Sequence, residues 1–292
     1  KRVLPESSGR MVIPTIYGFP MIVDLDSSHT PSMQGSIERN LYFLGTFEAG
    51  TLDIIKQSLA AWGNDACFVD IGAHNGLMSI YAARTGSSNV LSFEPNPEMF
   101  KLLQENIKLS GCTNITAFAL ALGHKQQKVS IQTDSQNSGA AHVADSNNAS
   151  IHDIPMDTLD HLLQSNNISQ VNLILMDIEG YEINALIGAE GVIAANKPDL
   201  IIEYDPNGPD KHVLAFLAKY NYKLYILENS RHIIGHLVPF KNTANPTQRD
   251  NLFCFQPDRA KKLRLDWNCE WNRTMECRAF DDRRQVSFPY CK

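Results

Sequence analysis

The sequence predicts an α/β fold: a doubly wound, mostly parallel, seven-stranded sheet covered by helices on both faces. Three observations predict it. Short apolar runs alternate with helical stretches along most of the 292 residues. The runs are almost continuously apolar, as strands buried on both faces are. The first of them opens into a Gly-containing turn followed by a helix, the arrangement that holds ligands in open α/β sheets.

The seven runs are Phe68–Ile71, Val90–Phe93, Ile115–Ala119, Leu173–Met176, Leu200–Glu203, Leu224–Leu227 and Leu252–Phe255. A helix-like stretch over Gly50–Ala61 precedes them, and Leu77–Arg84, Glu98–Leu109, Tyr181–Gly188 and His212–Tyr220 lie between them. Lys128–Gln132 adds a local strand after the third run. Residues 1–36 read as an irregular N-terminal extension punctuated by Pro5, Pro14, Pro20 and Pro31. Residues 37–257 form the main domain. Residues 258–292 break the rhythm and read as an appendage with Trp267, Trp271, Cys269, Cys277 and Cys291.

Composition narrows the function. Hydrophobic residues make up 43% and charged residues 20%, which is ordinary for a domain with a buried core. A net charge of -6 argues against a protein that grips a nucleic-acid backbone. The basic clusters at Lys261–Arg264 and Arg283–Arg284 read as solvated surface. No apolar run is long enough to span a bilayer. The six cysteines contain no Cys-x-x-Cys pair, so no zinc site is expected. An even count with a Cys-rich tail suggests disulfides; free thiols are the competing reading. The tail, the sequons at Asn114, Asn148, Asn167 and Asn272, and a start at Lys1 rather than Met favour a secretory-pathway lumen over the cytoplasm.

The most informative stretch is Asp70-Ile-Gly-Ala-His-Asn-Gly76. Gly72 and Gly76 would let the backbone turn tightly and approach a ligand. A dinucleotide site needs a second Gly where this chain has His74. An anion at Asp70 would also repel a pyrophosphate. S-adenosylmethionine carries a sulfonium and an ammonium and no phosphate, so the charge pattern favours that cofactor. Glu94, ending the run Val90–Phe93 about 20 residues on, suits the ribose hydroxyls. His74, Asn75, Pro95 and Asn96 complete the expected cofactor contacts. Glu48 would close over the cofactor from the N-terminal side, and Ser138 would line the pocket. An isolated Glu94 would read instead as a helix N-terminal charge.

Four separated motifs now carry a resemblance. Asp70–Gly76, Phe93-Glu-Pro-Asn-Pro97, Ile154-Pro-Met-Asp-Thr-Leu-Asp160 and Met176-Asp-Ile-Glu-Gly-Tyr-Glu182 resemble, in order, those of FkbM-type class I methyltransferases over about residues 35–257. Phe43–Glu48 is similar to that family's entry segment. The chain departs at His74, where the family usually has Asn, and at Met176, where it usually has Lys. The resemblance implies a Rossmann-like class I methyltransferase fold and O-methylation of a glycan or small hydroxylated metabolite.

An aliphatic hydroxyl is a poor nucleophile at neutral pH, so a base should assist it. The candidates at strand ends are Asp177, Glu179 and Glu203, with Asp205 behind them; Asp177 and Glu179 are the preferred acceptor-side pair. Glu179 also reads as a cap before Gly180. The competing function is a catalytically inactive methyltransferase fold serving as a binding or trafficking module.

Overall fold

The computed structural model describes residues 9–25, 37–134, 137–144, 151–205, 211–228, 236–240 and 250–263. In chain order the elements are β1 (Arg10–Pro14), β2 (Pro20–Asp24), α1 (Ile37–Leu44), α2 (Ala49–Trp62), β3 (Ala66–Ile71), α3 (Leu77–Thr85), β4 (Ser87–Phe93), α4 (Pro97–Ser110), β5 (Ile115–Phe118), β6 (Ala121–Leu122), β7 (Gln127–Asp134), β8 (Asn137–Ala144) and β9 (Ile151–Asp157). There follow α5 (Leu159–Ser165), β10 (Leu173–Met176), α6 (Glu182–Gly188), α7 (Glu190–Asn196), β11 (Asp199–Tyr204), α8 (Lys211–Lys219), β12 (Lys223–Glu228), β13 (His236–Pro239), β14 (Asp250–Phe255) and a 3-10 turn at Pro257–Arg259.

All seven apolar runs enter one central sheet, but that sheet has eight strands, in the order β13-β12-β14-β11-β10-β3-β4-β5. The expected count of seven is therefore corrected. The extra strand, β13, is an edge strand paired antiparallel with β12 alone. It is only four residues long and carries His236 and Pro239, so it lacks the apolar run that betrays a central strand. The five strands from β11 to β5 run parallel, and β14 pairs antiparallel with both β11 and β12.

Strand alternation divides the core in two. Val69, Ile71, Leu91, Phe93, Ile174 and Ile202 face α5, α6, α7 and α8. Phe68, Val90, Leu173, Leu175 and Ile201 face α2, α3 and the N-terminal elements.

The expectation of an irregular N-terminal extension is also corrected. Residues 10–24 form a β-hairpin whose Met21 and Val23 are fully buried. Two of the prolines read as punctuation lie at the strand ends: Pro14 is opposite Pro20, where a missing N–H disturbs least; Pro5 and Pro31 lie outside the described residues. Thr15 closes the turn, its N–H and Oγ1 both donating to the Phe19 carbonyl at 3.0 and 2.6 Å. α1 follows and buries Leu41 in the same core.

The strand expected near Lys128 is β7, part of a separate sheet, β6-β9-β7-β8. This small sheet meets α6 at two glycines. A Cβ on Gly188 would overlap the Gly123 carbonyl, and one on Gly123 would overlap the Met156 sulfur. Tyr181 packs on its core of Ala121, Val129, Ile154 and Met156.

Cys67, Cys112 and Cys254 are free thiols. Cys269, Cys277, Cys291, Trp267 and Trp271 lie outside the described residues, so the expected Cys-rich appendage and its disulfides have no support among the described ones. No helix among the described residues is long and apolar enough to cross a membrane.

Candidate cofactor and acceptor site

The order of the parallel strands reverses between β3 and β10, since β3 leads outward to β4 and β10 leads the other way to β11. A crevice outside the carboxyl ends of the strands is expected at such a point. The segments that follow β3, β4, β10 and β11 contain most of the expected site residues.

After β3 the chain turns through His74 (φ 48°) and Gly76 (φ 89°), and Gly76 caps α3. Both glycines adopt the positive φ that a tight turn needs, and they also make room for neighbouring chain. A Cβ on Gly72 (φ 89°) would overlap the Asp177 carbonyl oxygen, and one on Gly76 would meet a Leu103 methyl at 2.6 Å. The close approach is of chain to chain. At Gly72 it brings the turn after β3 against the turn after β10.

Asp70 is 1% exposed and accepts a hydrogen bond from Ser79 Oγ at 2.5 Å. Ser79 in turn shares a 2.6 Å bond with Ser92. Burial pushes the Asp70 carboxyl up to about 7, against the Ser79 hydrogen bond and with the help of the Glu94 charge. Asp70 thus ties β3 to α3 through Ser79, which reaches on to β4.

Among the described residues Glu94 is held by backbone: His74 N–H donates to one oxygen and Asn96 N–H to the other, both at 2.8 Å. Burial raises its pKa, opposed by the nearby His74 and these two N–H groups. Each oxygen retains capacity for a further bond, as a ribose-binding carboxylate requires. Asn96 caps α4, its Oδ1 accepting from Glu98 and Met99 N–H, with Pro97 opening the helix. Pro95 is half-buried between them. His74 Nδ1 lies 3.7 Å from the Glu38 carboxylate on α1.

Asn75 is 1% exposed. Its Oδ1 accepts from Leu77 N–H at 3.2 Å, whereas its Nδ2 has no hydrogen-bond partner among the described residues. A buried donor left so costs about 1–3 kcal/mol. An acceptor-rich, cationic ligand fits this turn: it offers oxygens to Asn75, and hydroxyls and positive charge to the carboxylates.

Glu48, also with positive φ, begins α2. Its Oε2 accepts from Thr51 at 3.0 Å and from Asn251 on β14 at 2.9 Å. Asn251 is paired with Glu203 across the β11–β14 ladder, so Glu48 is tied to the β11 end of the crevice. Ser138 belongs to β8, and its side chain lies outside the described residues.

The three acceptor-side candidates converge. Carboxylate oxygens of Asp177, Glu179 and Glu203 lie within 4.8 Å of one another, with Asp177 exposed, Glu179 half-buried and Glu203 buried. Such an oxygen set suits a proton or a hard cation. Glu182 organises this turn: its Oε1 accepts from Gly180 N–H at 3.0 Å and Ile178 N–H at 3.4 Å. Glu179 is held with φ 51°. The last Glu of the Asp-x-Glu-Gly-x-Glu motif is therefore a brace, a role that its position in the motif could have suggested.

The motif Ile154–Asp160 is absorbed by helix capping. Asp160 accepts from Gly191 and Val192 N–H at 2.7 and 2.8 Å, at the start of α7. Asp157 is held by Thr158 N–H and pairs with His161. Ser79, Asn106 and Glu38 were not singled out in the sequence; nothing in their local spacing separates them from ordinary helix residues.

A family model described as the methyltransferase FkbM domain matches residues 70–224, more than half of the chain. Methyltransferase 1 of Beauveria bassiana is 26% identical over 153 residues, covering 45% of this chain and 61% of that protein. The hexuronic acid methyltransferase AglP of Haloferax volcanii is 26% identical over 140 residues, covering 48% and 56%. The chain thus spans less than two thirds of these relatives' lengths. A solved FkbM methyltransferase of Methylobacillus flagellatus aligns with 66% of this chain and 44% of its own, at 19% identity and a TM-score of 0.45.

Proposed function

The chain belongs to the FkbM methyltransferase family, and from that premise we propose that it uses S-adenosylmethionine to methylate a hydroxyl oxygen of a glycan or small hydroxylated metabolite. The observation that carries this reading is the meeting of two half-sites. The Gly72–Asp177 contact joins a turn with an unspent donor and the carboxylate Glu94 to the converging acids Asp177, Glu179 and Glu203.

The cofactor supplies an activated methyl carbon. This chain's own residues would do the rest. Glu94 accepts the ribose hydroxyls, and Asn75 Nδ2 donates to an oxygen of the cofactor. Asp177 takes the proton of the acceptor hydroxyl, with Glu179 and Glu203 positioned to share it. Base assistance of this kind contributes about 10²–10⁴-fold, and alignment of acceptor and methyl carbon supplies much of the remainder. The AglP relative, named for a hexuronic acid, supports a sugar acceptor.

Calorimetric titration with S-adenosylmethionine and S-adenosylhomocysteine tests the reading. Micromolar binding that is lost in Glu94→Ala supports it. An acceptor screen on glycans should then find turnover that Asp177→Ala abolishes while cofactor binding persists. A folded chain that binds neither compound overturns the reading and leaves the inactive binding module.

A further inference from the structure

Asn106 lies in α4, outside every segment assigned above, and is fully buried. Its side chain spends its full donor capacity on backbone. Nδ2 donates to the Asn75 carbonyl at 2.8 Å and to the Ile22 carbonyl at 3.1 Å, and Oδ1 accepts from Ile22 N–H at 2.6 Å. These three bonds fix the amide orientation, because a flipped amide would set oxygen against two carbonyls and N–H against N–H. No other side chain of that length offers two donors and an acceptor. Aspartate lacks the donors, and glutamine is a methylene longer.

The N–H groups of Gly72, Ala73, His74 and Gly76 in this turn are held by Phe93, Glu94 and Ala73, and the bond from Asn106 holds the Asn75 carbonyl. Asn75 lies between His74 and Gly76, both at positive φ. Its carbonyl is held by Asn106, and its side-chain Nδ2 is the buried donor without a partner among the described residues. On the far side, Ile22 belongs to the hairpin strand β2, which packs against α4. One amide therefore links the N-terminal hairpin, α4 and the turn after β3.

We propose that Asn106 is a positioning residue for the cofactor: through the Asn75 carbonyl it sets the place of the Asn75 donor, and through Ile22 it makes cofactor affinity depend on the N-terminal hairpin. This rests on the reading that the turn binds S-adenosylmethionine.

The test is calorimetric titration of S-adenosylhomocysteine into the wild type, Asn106→Ala, Asn75→Ala, the double variant and a control, Val192→Ala, which loosens the core on the opposite face. Asn106→Ala should weaken binding by about tenfold or more, and Val192→Ala by less than twofold. In the Asn75→Ala background the Asn106 substitution should add less than twofold, because residues that act through one another are not additive. Equal affinity of Asn106→Ala and wild type, or a fully additive loss, overturns the proposal while leaving the cofactor reading intact. A wild type that does not bind overturns both. Hydrogen exchange on the wild type needs no variant to fold: the ligand should slow exchange at the Ile22 amide together with the amides of 72–77. Protection of the turn without any at Ile22 overturns the proposal.

Discussion

The two ends of the central sheet treat buried carboxylates in opposite ways. At the amino end, Asp199 is fully buried and saturated: Arg259 donates from Nε at 2.8 Å and from a terminal nitrogen at 2.5 Å. Ser58 Oγ donates at 2.5 Å and Trp62 Nε1 at 3.1 Å, and the guanidinium stacks 3.8 Å over the Trp62 ring. At the carboxyl end, among the described residues, Glu94 is held by backbone N–H groups, Asp70 by a serine, and Asn75 keeps a donor unspent. The first arrangement can bind nothing more. The second has capacity left over, at a cost to stability, and that difference separates a clasp from a site.

The largest effect that would break this comparison is expected at the clasp. Arg259→Ala strands a buried carboxylate and should cost about 3–5 kcal/mol in chemical unfolding. S-adenosylhomocysteine affinity should stay within twofold of wild type; a tenfold loss would mean that the two ends are not separable. At the other end, Asp70 titrates near 7 in the folded chain against an ordinary 3.8. The folded state then binds the extra proton between about pH 4 and 7, so stability falls as pH rises through that window and levels off above it. Asp70→Asn should flatten this slope by on the order of a few kcal/mol, at ~1.4 kcal/mol per unit. Denaturant midpoints measured from pH 4 to 8 check it, and an unchanged slope would assign the titration elsewhere. The smallest effect is Ser58→Ala, which removes one of four donors to Asp199 and should cost about 1 kcal/mol with no change in binding.

The same contrast explains what was legible in the sequence. Central strands such as Leu173–Met176 are buried on both faces, so their residues are written as apolar runs. The edge strand β13 is only four residues long and the hairpin 10–24 buries one face, and their signal was lost among His236, Pro14 and Pro20. Gly72, Glu94 and Asp177 were legible because they follow strands at expected spacings. Their physical roles were less so: Gly72 accommodates the Asp177 carbonyl, a contact between turns about 105 residues apart that no local pattern encodes. Asn106 and Glu182 act on backbone amides, and a hydrogen bond to backbone leaves no partner residue in the sequence to match.

The two glycines at 123 and 188 have a consequence for anyone altering the small sheet. A Cβ on Gly188 would overlap the Gly123 carbonyl and one on Gly123 would overlap the Met156 side chain, so a side chain at either position forces a neighbour to move. A mutant library that randomises the small sheet should therefore hold both fixed and diversify β7 and β8. Swapping that sheet between relatives should carry Gly123–Asp157 together with α6, as one transplantable cassette.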